Sequence, residues 1–198
     1  CFNNIQFMES VHAKSYSTIF STLNTKKEIE ELFNWVDTNV YMQTKAEIIN
    51  KIYESGTPLQ KKVASVFLET CLFYSGFYTP LRYLGNNKMI NSAEIIKLII
   101  RDESVHGTYI GYKFQLGFNE LSEDEQGEFR DWMYELLYQL YENEEKYSHL
   151  LYDKVGWTDE VLTFLRYNAN KALMNLGQDP LFPDTAADVN PVVMNGIS

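Results

Sequence analysis

Residues 63–84, VASVFLETCLFYSGFYTPLRYL, are apolar on nearly every side yet carry one carboxylate, Glu69, in their middle. A helix that is hydrophobic all round belongs at the centre of an assembly of helices. A glutamate placed there must meet a cation or stay protonated, because an unpaired buried charge is costly. Any fold of this chain therefore has to surround that rod and either bring Glu69 a positive partner or leave it protonated.

The rest of the sequence supplies the surroundings. Ten glycines and five prolines in 198 residues are too few turn formers for an all-β architecture, and apolar residues recur at three-to-four spacing. The pattern predicts helices over 4–23, 26–37, 40–54, 58–84, 91–118, 122–153 and 158–175. Asn24-Thr25, Ser55-Gly56-Thr57-Pro58 and Gly85-Asn86-Asn87 are the breaks. Ser122, followed by Glu123, Asp124 and Glu125, reads as a helix start with acids at the positive end of the dipole. Gly156 and Thr158 precede the last of these helices, and Gly177-Gln178-Asp179-Pro180 closes it. No internal repeat or linker divides the chain.

Several functions are excluded early. A formal charge of −10 is the wrong sign for neutralising nucleic acid phosphates. No apolar run reaches the ~20 residues that span a bilayer, and no signal peptide opens the chain. Of two cysteines, Cys1 and Cys71, the second falls in an apolar helix where a reduced thiol is usual. The expectation is a cytoplasmic protein without a membrane or nucleic acid partner. The start at Cys1, without methionine, suggests a piece of something longer.

The chemistry lies in the histidines. Of His12, His106 and His149, two follow a glutamate by three positions: Glu9-Ser-Val-His12 and Glu103-Ser-Val-His106. Three helical positions advance about 300° and roughly 4.5 Å along the axis, so each pair projects from one face and can hold a metal ion. Two such pairs with lone carboxylates from two further helices make the inward-facing di-iron or di-manganese site of ferritin-like bundles, and Glu69 supplies one lone carboxylate. Two divalent ions bring four positive charges and Glu9, Glu69 and Glu103 bring three negative ones, so a fourth carboxylate from a fourth helix is expected. Imidazole and carboxylate suit iron and manganese alike. His149, preceded by Glu144 and Glu145, sits on a polar face, and Glu142 to Glu145 read as a wet helix surface. The expected organisation is an all-α, ferritin-like helical domain over 1–180 with an irregular segment over 181–198.

Tyr16 lies one further turn along the face of His12, within roughly 6 Å by helical rise. MESVHAKSYSTIFSTL, VFLETCLFYSGFY, LIIRDESVHGTYIGY and RYNANKALMNLG, in that order, closely resemble the small, radical-bearing subunit of class Ib ribonucleotide reductases, and the likeness runs over nearly the whole chain. The resemblance implies that Glu9 and His12 bind one metal, that Glu69 and Glu103 bridge or bind the second, and that His106 completes its shell. Tyr16 would carry a stored radical, passed to a large subunit to start ribose reduction. Asp102 would hydrogen-bond the outer ring nitrogen of His12 and fix its tautomer. Phe73 and Phe77, four and eight residues after Glu69, and Ile99, four before Glu103, fall near the metal level on inward faces, where they pack the bundle and keep it dry. The implied partners are a second copy, the large subunit and a flavodoxin-like activator for manganese loading.

The chain departs from the resemblance at both ends. The aspartate that would be the fourth carboxylate, on a helix preceding Glu9, would lie upstream of Cys1, as would a radical-transfer tryptophan, and the large-subunit-docking tail is missing. Trp35, Trp132 and Trp157 do not stand in matching contexts. Missing the N-terminal site-bearing helix, the chain is expected to leave an apolar face bare and to be poorly stable or inactive alone. Two rival readings share part of this evidence. One is a ferritin-like oxidase or desaturase that spends its oxidant on an external substrate. The other is an inactive fragment serving only as a helical interaction module.

Overall fold

Three of the helix starts are written in hydroxyls. Thr25, Thr57 and Ser122 each accept from the backbone N–H three residues on, while Glu28, Gln60 and Glu125 reach back to the capping backbone. These reciprocal caps satisfy donors that a helix N-terminus otherwise leaves open. The computed structural model describes residues 2–197, so Cys1 lies outside the described residues. Among them are nine α-helices: α1 (Phe2–Leu23), α2 (Lys26–Thr38), α3 (Val40–Ser55), α4 (Pro58–Phe67), α5 (Tyr74–Gly85), α6 (Ile90–Phe118), α7 (Glu123–Tyr152), α8 (Thr158–Asn175) and α9 (Pro191–Ile197). No strand occurs among the described residues, and none of their helices is long and apolar enough to cross a membrane.

The central rod is where the expectation of one helix over 58–84 fails. Between α4 and α5 the chain widens into a π-helical segment, Leu68–Leu72, before Phe73 turns it back into α geometry. A π segment accommodates one extra residue in a helix and re-aims the side chains on either side. Here it lets Val63, Val66 and Phe67 upstream and Tyr74, Phe77, Tyr78 and Leu81 downstream all face the interior, with Glu69 in the widened turn.

α4, the π segment and α5 lie along α6, α8 packs across the π segment, and α3 and α7 pair on the other side. The approach is close because α6 presents glycine there. A Cβ on Gly107 would stand 2.2 Å from Thr70 Oγ1, and one on Gly111 would stand 2.3 Å from the Asn175 carbonyl oxygen. α1 contributes one fully buried residue, His12, and leaves Phe2, Phe7, Phe20 and Leu23 exposed.

The segment after 180 is not irregular throughout. A 3-10 turn, Asp184–Ala187, leads into α9, which packs on α5. Val189 and Val193 supply the apolar side of that contact. Glu160 accepts hydrogen bonds from Tyr78, Arg82 and Asn190, tying α5, α8 and the C-terminal segment together. Sequence composition hid this, because two buried valines are too short a signal to set a period.

The two kinds of glycine in the central layer should respond oppositely to a methyl group. Gly107→Ala forces its Cβ onto Thr70 and is expected to cost about 1–3 kcal/mol. Gly76→Ala, with nothing within 4 Å of the added atom, should stabilise by about 0.5–1 kcal/mol. Urea unfolding of both variants checks this, and equal effects would contradict it.

Candidate metal centre

Helical spacing delivers Glu9 and His12 from α1, Glu103 and His106 from α6, and Glu69 from the π segment into one volume. Glu103 is at its centre and is 3% exposed. One carboxylate oxygen, Oε1, lies 3.1 Å from His12 Nδ1, and the other, Oε2, lies 3.2 Å from His106 Nδ1. Glu9 spans the same two rings, with Oε2 3.6 Å from His12 Nδ1 and Oε1 3.2 Å from His106 Nδ1. Glu69 Oε2 approaches His106 Nδ1 at 3.7 Å. Ligand atoms of Glu9, Glu69, Glu103 and His106 all lie within 4.8 Å of one another, and His12 faces Glu103 and Glu9 from the other side.

Of these contacts, that between His106 Nδ1 and Glu103 Oε2 is a hydrogen bond, and the others leave polar atoms unpaired. Glu9 Oε1, His12 Nδ1 and Glu69 Oε2 are buried and have no hydrogen-bond partner. Buried polar atoms without partners are rare in native proteins and need a reason. Lone pairs from five side chains aimed at a common interior are explained by cations between them, and the donor set of imidazoles and carboxylates is one that iron and manganese accept. The residues present thus fit a dinuclear centre, with Glu103 offering one oxygen to each side.

Electrostatics point the same way. Burial, then the neighbouring Glu69, Glu9 and Asp102 carboxylates, push the Glu103 carboxyl far above the usual range. Burial and Glu69 also raise Glu9, against the opposing pull of His12 and His106. So dense a set of acids, served by two imidazoles, lacks positive charge.

Around this cluster the structure places the remaining residues singled out from sequence. His12 turns its outer nitrogen, Nε2, to Asp102 Oδ2 at 3.2 Å. Tyr16 is half-buried and lines an open apolar cleft of about 600 Å³ with Phe73, Phe77, Ile19, Phe20 and Ile96. Burial and then the Glu103 and Glu9 carboxylates hold its phenol above the ordinary value. Ile99 is buried and lines a neighbouring cleft with His12 and Asp102. His149 is exposed and pairs with Asp153 at 2.9 Å, away from the cluster.

A further expectation is overturned. Glu144, read as part of a wet acidic face, is fully buried. Its place follows from the period rather than the run: Leu137, Tyr141, Glu144, Ser148 and Tyr152 recur at three-to-four spacing along the inward side of α7. Glu142 alone of the neighbouring acids is plainly a surface group, paired with Lys146. Lys45 on α3, which pairs with Glu144 at 3.0 Å, was not singled out by any motif. Gly107 and Gly111, four apart in a long helix, were the available sign of a close approach near Glu103.

The raised carboxyls fix a pH dependence. A carboxyl whose folded-state pKa lies above its unfolded value holds its proton in the folded, metal-free protein, so a cation must displace that proton to bind. Metal affinity should therefore rise with pH above the ordinary carboxylate range, with protons released on binding. Calorimetric titration with Mn²⁺ in buffers of different ionisation enthalpy measures this, and binding without proton release would contradict the arrangement.

Comparison with known proteins gives a consistent result. Residues 1–191 match the family described as ribonucleotide reductase, small chain. The chain is 53% identical over 197 residues to the ribonucleoside-diphosphate reductase subunit beta of Mycobacterium leprae, covering 100% of this chain and 61% of that protein. The crystal structure of dimanganese(II)-NrdF from Streptococcus sanguinis superposes with a TM-score of 0.97 at 79% identity, over 100% of this chain and 70% of that one. A class I ribonucleotide reductase structure from Bacillus halodurans, described as putative in its name, gives a TM-score of 0.82 at 26% identity, over 91% and 68%. The chain spans about three-fifths of the length of the curated relatives it matches.

Proposed function

Because the chain belongs to the ribonucleotide reductase small-chain family, we propose that it forms the radical-generating part of a reductase that makes deoxyribonucleotides from ribonucleoside diphosphates. The observation that carries the reading is the position of Glu103, with an imidazole nitrogen opposite each of its oxygens and Glu9 and Glu69 beside it. In this proposal Glu9 and His12 would hold one ion and Glu69 and His106 the other, with Glu103 offering one carboxylate oxygen toward each histidine. A bound pair of iron or manganese ions, oxidised by an oxygen-derived oxidant, would supply one-electron oxidising power at this point.

The protein's own side chains set what that power can reach. Tyr16 keeps its proton, because burial and the acids beside it oppose phenolate formation. Loss of an electron from that phenol is therefore coupled to loss of a proton, and the carboxylates of the cluster are the bases at hand. Phe73 and Phe77 give the cleft around Tyr16 an apolar lining. Asp102 accepts from the outer nitrogen of His12, which leaves Nδ1 with its lone pair turned inward. The tautomer follows from that contact.

The proposed partners are a second copy of the chain, the large subunit that holds the ribonucleotide, and a flavodoxin-like activator for manganese. The buried thiol of Cys71, which burial keeps protonated, supports a reducing cytoplasm as the place of action. In the full-length protein assembled with its large subunit, Tyr16→Phe should retain two metals per chain and lose both the tyrosyl radical signal in electron paramagnetic resonance and nucleotide reduction. Reductase activity retained by Tyr16→Phe would refute the assignment of Tyr16.

A further inference from the structure

The π segment that carries Glu69 leaves one backbone group unserved. In a continuous α-helix the Leu72 carbonyl would accept from the Gly76 N–H, but Gly76 N and Phe77 N both donate to the Phe73 oxygen, each at 3.1 Å. The orphaned Leu72 oxygen lies in the core, with Leu72 itself 1% exposed. A buried carbonyl without a donor is costly. Its partner comes from another helix: Lys45 Nζ, on α3, donates to it at 3.3 Å.

That ammonium is itself largely buried and is neutralised by Glu144 on α7, at 3.0 and 3.3 Å from the two carboxylate oxygens. Glu144 takes a further hydrogen bond from Ser75, in the first turn of α5. The Ser75 carbonyl in turn accepts from Tyr152 of α7 at 2.6 Å. Two helices that provide none of the five cluster side chains thus grip the chain on the far side of the bulge, at Leu72 and Ser75. On the opposite side Thr70 is met by Gly107 of α6 and Asn175 of α8.

We propose that Lys45 and Glu144 are positioning residues, an internal clamp that holds the π segment in register and through it aims Glu69 at the metal centre. The proposal rests on the reading of Glu69 as a metal ligand. A pair placed only for stability would be expendable, since replacing both members of a buried ion pair with apolar residues of similar volume is often neutral. A pair placed to hold the bulge is not, because neither apolar replacement can donate to the Leu72 oxygen.

The test uses the full-length protein carrying Lys45→Met with Glu144→Leu, and separately Lys45→Arg, which keeps a cationic donor. In the double variant, amide hydrogens over 68–77 should exchange about tenfold faster or more while those at the centre of α6 do not change. The affinity for the more weakly held of two Mn²⁺ ions should fall about 10–100-fold, as for other residues that support ligands from behind. The thermal midpoint should move by only a few degrees, and Lys45→Arg should keep both exchange and affinity near those of the unaltered protein. Unchanged exchange over 68–77, unchanged Mn²⁺ affinity, or Lys45→Arg behaving like the double variant would each overturn the clamp. If the apolar pair does not fold, Lys45→Met with Glu144→Gln makes the same comparison, since it keeps a polar group at 144 while removing the Lys45 donor to the Leu72 oxygen. Failure of the unaltered protein to bind Mn²⁺ would refute the metal-centre reading itself, and exchange over 68–77 would then decide the clamp alone.

Discussion

Carboxylates do not gather in the dry interior of a helical protein unless something positive joins them. Around Glu103 the chain brings together Glu9, Glu69 and Asp102 with His12 and His106 to balance them, and burial first, then the neighbouring carboxylates, raise the Glu103 and Glu9 carboxyls. The surrounding structure resists the repulsion that would push these groups apart. α1 and α6 each contribute a glutamate and a histidine one turn apart, so neither helix can rotate without removing two groups. The π segment contributes Glu69 from a backbone that departs from regular α-helical geometry.

Much of the remaining architecture serves that arrangement. Gly107 lets Thr70 come within a distance that alanine would forbid, and the carbonyl freed by the bulge is answered from α3 and α7. The same region keeps the Tyr16 phenol protonated and bordered by phenylalanines. Charge density at the centre and bracing of the widened turn meet at Glu69, which belongs to both.

What could be read from sequence divides along a physical line. Glu9, His12, Glu103 and His106 were legible because the helix repeat is rigid, so a spacing of three residues fixes a common face whatever surrounds it. Glu69 was legible from the apolar run that isolates it. The bounds of α2, α3, α6 and α8 followed from caps and breaks to within a residue or two. The widening at Leu68–Leu72 was not legible, because an apolar run looks the same whether its hydrogen bonds close over four residues or five. Glu144 was misjudged through being grouped with Glu142 and Glu145 as a charge run, when its spacing from Tyr141 and Ser148 already set it on the buried side. Lys45 carries no local signal at all, since its role depends on a carbonyl 27 residues later in the chain.

The central claim is that two cations share Glu103, one on the side of His12 and one on the side of His106. Crystals of the manganese-loaded full-length protein, measured for anomalous scattering at the manganese edge, test it most directly. The account predicts two anomalous peaks, one between Glu103 and His12 and one between Glu103 and His106. A single peak, or none among these side chains at saturating manganese, would contradict it.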